Sequence, residues 1–290
     1  MDTPVWLFLR GVVRGAHIAG SFWCFGTMFL AATLLRRHRL PGLKPMVWVS
    51  LGLALLAGVG WFLLQTADFA SAQSFSDIVA AAPIVAQDTR FGTLLIGRCI
   101  ALLLASFFFQ AGWVRSAAAT AGAAIVAESW LGHGGSMEGL LGAVLLATSI
   151  VHLASAAIWL GALPALWLAI KNLPPEAAAS LARDFSPIGI GCVALITLTA
   201  GIQYFFLIGQ PVDLISTGYG LTASFKIVAL ISLVTLAAIN RTRFTPRLPA
   251  SRPQLLRSIN AEIVIGLFTL LAAGLILQLE PPAMALMTAH

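Results

Sequence analysis

GLLGAVLLATSIVHLASAAIWLGALPALWLAI, Gly139 to Ile170, decides the fold: the run contains no Asp, Glu, Lys or Arg and ends against Lys171. A helix needs about 20 predominantly apolar residues to cross a bilayer, and this segment supplies more than that. Working outward, further apolar runs occupy approximately 5 to 34, 46 to 66, 90 to 113, 116 to 132, 186 to 208, 218 to 240 and 259 to 279. Hydrophobic residues make up 59% of the 290 positions and charged ones 10%, so a water-soluble core and shell cannot be built from this chain. The expectation is an all-α integral membrane protein of eight transmembrane helices in one membrane domain, 1–290. Glu128, His133 and the close approach of Arg115 make the fourth span the weakest of the eight.

Charge is arranged as a topology signal. Arg36, Arg37, Arg39 and Lys44 follow the first span, Arg115 the third, Lys171 and Arg183 the fifth, and Arg241, Arg243, Arg247, Arg252 and Arg257 the seventh. The alternate connections carry Asp68, Asp77, Asp88, Glu138, Asp213 and Glu280, with Arg90 at a helix mouth. By the positive-inside rule the basic loops are cytoplasmic and both termini lie outside, in the periplasm of a Gram-negative host. This spread argues against nucleic-acid binding despite a net charge of +6. Cys24, Cys99 and Cys192 all sit in apolar runs and read as thiols, not as a disulfide framework. The first apolar run has no basic leader and continues to Arg36, so it reads as an anchor. In the connection from Ala67 to Thr89, Phe75, Ile78, Val79 and Ala82 recur at helical spacing and predict a short surface helix over 75–82.

Three matches in the same order suggest an internal duplication. His17 precedes Gly26 by nine residues with Trp23 between, as His152 precedes Gly161 with Trp159 between. Ala57-Gly58 leads to Trp61-Phe62 as Ala200-Gly201 leads to Tyr204-Phe205. Phe91-Gly92 stands before Arg98 as Tyr219-Gly220 stands before Lys226. The expected halves, 1–135 and 136–290, run parallel and are related by a pseudo-twofold axis along the membrane normal, a 4+4 arrangement.

Ionisable groups within a bilayer are costly and usually face the bundle interior. Here they are Arg10, Arg14, His17, Arg98, Glu128, His152, Lys226 and Glu262. His17 and His152 occupy equivalent midplane positions, and two imidazoles meeting at the axis could hold one metal ion or one haem iron; the plainer reading is a histidine bonded across a helix pair. His17, Cys24 and Met28 share a helix face and offer soft donors suited to Cu(I), although cysteine and methionine are also ordinary packing residues. Gly132 to Met137 places His133 and Met137 on a glycine-rich turn where both could reach an arriving ion. The tail carries Met284, Met287 and His290, which could touch metal or simply fray. Arg98 and Lys226 are expected to pair with Glu128 or with helix-end carbonyls. Trp23 and Trp159 are expected to lie beneath the histidine pair and limit water access.

Particular stretches resemble the copper-resistance protein D family of bacterial inner-membrane proteins. They are His152-Leu153-Ala154 leading to Ile158-Trp159-Leu160-Gly161-Ala162-Leu163; Tyr219-Gly220 with Lys226; Asn240 through Leu248; Ser258-Ile259 with Ala261-Glu262; and Pro281-Pro282. The resemblance is sharpest from His152 to Pro282, and earlier rests on the span number, Gly132-His133 and His17. It implies copper homeostasis, with copper as cargo moved from periplasm to cytoplasm and a separate small periplasmic copper-binding protein, CopC-like, as partner. No nucleotide-binding glycine-lysine motif occurs, which argues against ATP-driven pumping. The expected class is therefore transporter-like, not an enzyme. Two alternatives stay open: a cytochrome-b-like oxidoreductase with haem on His17 and His152, and a membrane docking partner that receives a periplasmic copper protein on 67–89.

Overall fold

A computed structural model describes residues 3–38 and 40–283, with the side chains of His133 and Ser136 outside the description. The expectations placed on the His133 side chain, on Arg39 and on Met284, Met287 and His290 therefore lie outside the described residues. The chain forms α1 (Pro4–Ala32), α2 (Leu43–Phe69), α3 (Phe75–Asp88), α4 (Arg90–Gln110), α5 (Val114–Glu128), α6 (His133–Ser136), α7 (Gly139–Asn172), α8 (Pro175–Leu207), α9 (Asp213–Ser216), α10 (Gly218–Ile239) and α11 (Arg252–Ile276). It is an all-α, multi-pass membrane protein. Its outward faces are apolar, with Leu56 78% and Phe205 71% exposed, a surface that only lipid solvates well.

Six of the described helices are long and apolar enough to cross a membrane: α2, α4, α7, α8, α10 with its extension to Arg247, and α11. Two expected spans fall outside that set for different reasons. α1 has the length, yet it carries Arg10, Arg14 and His17 and is the most enclosed helix of the bundle. α5 has only 15 residues, a rise of about 22 Å against a hydrocarbon core of about 30 Å.

α1 is the centre. It packs against α2, α5, α7 and α11, and it does so on glycines. A Cβ on Gly26 would collide with the backbone of Gly161 and Ala162, and one on Gly161 with the Phe22 carbonyl. Gly11 and Gly15 similarly abut Leu275 and Leu271, and Gly274 abuts Gly11 and Gly15. Small residues let membrane helices approach backbone to backbone, where dispersion replaces the missing hydrophobic drive.

The surface helix over 75–82 forms and runs further, as α3 to Asp88. Ser74 and Asp77 make a reciprocal capping box that satisfies its first N–H groups. The expected start of the sixth span at 186 gives way to a helix from Pro175: the proline stands at the first helical position, where its missing N–H costs nothing, and Glu176 complements the N-terminal dipole. α10 continues through a π-helical turn, Asn240–Phe244.

Candidate functional site

The ionisable residues divide into two groups that follow the two sequence halves. In the first, Arg10, Arg14, Arg98 and Glu128 all find opposite charges. Arg10 pairs with Asp68 at 2.7 Å and donates to Gln65 Oε1 at 2.9 Å. Glu128, at the end of α5, is held by Arg14 at 3.1 Å and by Arg98. Both arginines are further spent on backbone carbonyls, Arg14 on Leu131 and Arg98 on Ala124, each at 2.9 Å. The Arg14 guanidinium also lies 4.6 Å from the ring centre of Trp61, a cation–π contact. The expected pairing of Arg98 with Glu128 is thus present, with Arg14 as a third member.

One turn deeper, His17 is fully buried beside Trp61, ring centres 5.8 Å apart. Its Nδ1 lies 2.7 Å from the Ala54 carbonyl, which can only accept, so Nδ1 carries the proton. Nε2 is left with its lone pair and no hydrogen-bond partner. This is the arrangement a ligating histidine uses, one nitrogen oriented by a carbonyl and the other free. Below it on the same face, Cys24 and Met28 are completely enclosed, and the Cys24 sulfur lies 3.7 Å from the Ser106 hydroxyl. Trp23 is half-buried.

The second group is open. His152 Nδ1 lies 3.0 Å from the Thr199 hydroxyl, whose own proton goes to the Leu195 carbonyl at 2.7 Å. The threonine therefore accepts from Nδ1, and Nε2 of His152 again keeps its lone pair. Both histidines are oriented by the helix that follows their own, α2 for His17 and α8 for His152. Among the described residues no hydrogen bond or ring contact joins one imidazole to the other.

His152 lines a cavity of about 230 Å³ among α1, α7, α8, α10 and α11, together with Lys226, Gln203, Tyr204 and the edge of Glu128. Among the described residues no carboxylate pairs with Lys226, unlike Arg98, its counterpart in the sequence pattern. A second cavity, of about 430 Å³, lies toward the end of the bundle that carries the basic loops, and it contains Glu262, Asn240 and Arg241. Trp159 lines both cavities and is itself only 2% exposed. The tryptophan therefore stands between them. Pro164, five residues on, has no N–H to offer the Leu160 carbonyl, so the helix is one bond short just past the tryptophan.

Near the opposite end, Met137 is partly buried against the small cluster formed by Leu145, Leu207, Ile208, Tyr219 and Ile276. Thr89 and Thr217 cap α4 and α10 in the same way: each hydroxyl accepts from the N–H three residues on, Gly92 or Gly220, at 3.0 Å. A Cβ on either glycine would strike the preceding short helix, at Val85 or Asp213. Outside the membrane-spanning helices, the Asp77 carboxyl lies below its usual pKa. The Ser74 side chain is the largest cause, followed by the N–H groups of Gln73 and Ser74.

Sequence reasoning missed the partners. Asn240 beside Glu262, Gln65 beside Arg10 and the Asp68 pair carried no signal beyond polarity near a helix end. Among the described residues no three or more His, Cys, Asp or Glu side chains converge as a ready-made metal cluster.

Residues 3–143 match the family described as Copper resistance protein D-like, N-terminal domain, and residues 179–276 match the family Copper resistance protein D. The chain is 26% identical over 235 residues to Copper resistance protein D of Pseudomonas syringae pv. tomato, covering 77% of this chain and 76% of that protein. It is 28% identical over 162 residues to Copper transport protein CutJ of Bacillus subtilis (strain 168), covering 54% of this chain but 29% of that protein. No solved structure matches significantly. With family matches over both halves of a multi-helical membrane bundle, the chain belongs to the copper resistance protein D family.

Proposed function

We propose that this protein handles copper in a bacterial inner membrane by letting it pass from the outer side to the cytoplasm, as a transporter and not as an enzyme. The observation that supports this best is the pair of cavities on either side of Trp159, with His152 in one of them. Copper resistance and copper transport are the descriptions carried by its relatives.

In this reading the protein crosses the membrane eight times, α1 and α5 included, with the basic loops inside and both termini outside. α1 crosses because its charges are neutralised within the bundle instead of meeting lipid. The bundle is duplicated, with halves 1–135 and 136–290. The matching caps at Thr89 and Thr217, the backbone contact of Gly26 with Gly161, and the parallel bonds of His17 and His152 support that duplication.

Copper arrives at the turn bearing His133 and Met137, delivered by a separate periplasmic copper protein that docks near α3. It then reaches His152. Lys226 lines the same cavity and keeps a bare cation from settling too deeply, since conduction requires a site weak enough to leave. A shift of Trp159 joins the two cavities. His17, Cys24 and Met28 form a second column of soft donors in the first half, and Cu(I) is the ion they suit.

The test is Cu(I) uptake by the purified protein in liposomes. Copper should enter the vesicles, and His152→Ala should abolish entry while the protein still inserts and elutes as wild type. Full uptake by His152→Ala would remove the cavity from the path. A Soret band in the purified sample would instead favour the oxidoreductase reading.

A further inference from the structure

The two buried glutamates keep different company. Glu128 sits between two arginines, positively charged partners that carry donors only and so cannot accept a proton from its carboxyl. That environment fixes one protonation state. Glu262, 3% exposed on α11, has no basic partner among the described residues. Its carboxyl instead meets the side-chain amide of Asn240, on the π-helical turn that ends α10.

An amide differs from a guanidinium in that it can serve both forms of its neighbour. Turned one way, its N–H donates to a carboxylate; turned the other, its oxygen accepts the O–H of a carboxylic acid. Asn240 is 8% exposed and its Oδ1 is without a hydrogen-bond partner, as is the Ser258 hydroxyl, one turn before Glu262 on the same helix face. A proton on the carboxyl gives that orphaned oxygen a donor.

Both side chains line the inner cavity, beyond Trp159. The other ionisable group in that lining is Arg241, from the same π turn, and its guanidinium donates to Ser186 of α8 at 3.2 Å. α7 and α8 contribute no acid or base to the lining, and α1 does not reach it. A carboxyl beside a neutral amphoteric partner, facing a cavity next to the barrier residue, is equipped to exchange a proton. We propose that Glu262, with Asn240 as its partner, is a proton-carrying site that takes up or releases one proton as cargo crosses the Trp159 barrier. The chemical event is the breaking or making of one O–H bond on the glutamate, with water in the inner cavity supplying or receiving the proton. That it accompanies copper rests on the reading under Proposed function; that the site holds an exchangeable proton does not.

Two measurements separate these. Infrared difference spectra of the purified protein, taken across a pH series without copper, should show the carbonyl stretch of a protonated carboxyl. That band should disappear in Glu262→Gln and shift in Asn240→Leu. A spectrum without such a band, or one unchanged in Glu262→Gln, overturns the proposal whatever the protein transports. In liposomes, Cu(I) uptake by the wild type should vary with pH by up to roughly tenfold per unit, the slope for one required proton, and Glu262→Gln should flatten the profile. A Glu262→Gln variant that keeps the wild-type profile also overturns the proposal. If the infrared band is present and no copper enters with the wild type, the proton site stands and the transport reading fails.

Discussion

The two halves of the molecule use the same kinds of residue to opposite ends. In the first half Arg10, Arg14 and Arg98 are consumed by Asp68, Glu128, Gln65 and backbone carbonyls, and His17 is sealed behind Trp61. In the second half His152, Lys226 and Glu262 all face cavities. A buried charge with its partner in place is a rigid joint, whereas one without a counter-charge is costly to keep and awaits something. The comparison casts the paired charges of the first half as a frame and the cavity-facing groups of the second as parts that work.

The largest effect should come from breaking the frame. Glu128→Ala leaves Arg14 and Arg98 buried and uncompensated, and it should cost about 3–5 kcal/mol, the range for removing one partner of a buried pair. Thermal unfolding in detergent measures it, and a near-neutral result would dissolve the distinction between the halves. Next comes the crossing of α1 and α7. Gly26→Val should lose about 1–3 kcal/mol or more by overpacking against Gly161 backbone, while Gly201→Val, whose Cβ would enter open space, should change the melting temperature little.

Trp159→Ala sharpens the contrast from the other side. It should merge the two cavities and raise copper entry into liposomes several-fold, with less pH dependence than the wild type, and unchanged entry would mean that the barrier lies elsewhere. The smallest effect belongs to the rim. Asp77 titrates below its unfolded value, so the support it gives α3 is complete above about pH 3.9, the unfolded carboxylate value, and is lost as pH falls through the lower folded value. Hydrogen exchange at the start of α3 should therefore quicken in acid, and Asp77→Asn should make it fast at neutral pH as well.

How much of this was written in the sequence depends on what each residue answers to. Apolar runs answer to lipid thickness, so α7 and α10 lie where their composition put them, as does the surface helix α3. α5 is shorter than its apolar run because the chain turns at Ser129 into a single 3-10 turn as Glu128 reaches its arginines. Glu128 with Arg98 could be anticipated because a buried carboxylate must find a cation. The Asn240–Glu262 contact could not, since an amide carries no charge to demand a partner and the π turn that delivers it has no local signature. The separation of His17 from His152 into different surroundings was equally hidden: the spacing that relates them to Gly26 and Gly161 sets height along a helix and leaves rotation about its axis undetermined.

The glycine faces of α1 also bear on how the chain is made. Gly11 and Gly15 close against Leu275, Leu271 and Gly274, so α1, made well before α11, finishes packing only when α11 has entered the bilayer. Until then the groove meant for α11 must be filled by lipid or by the insertion machinery. A nascent chain stopped before α11 would present that groove as a mark of incompleteness, and membrane proteases should clear such fragments faster than the finished protein.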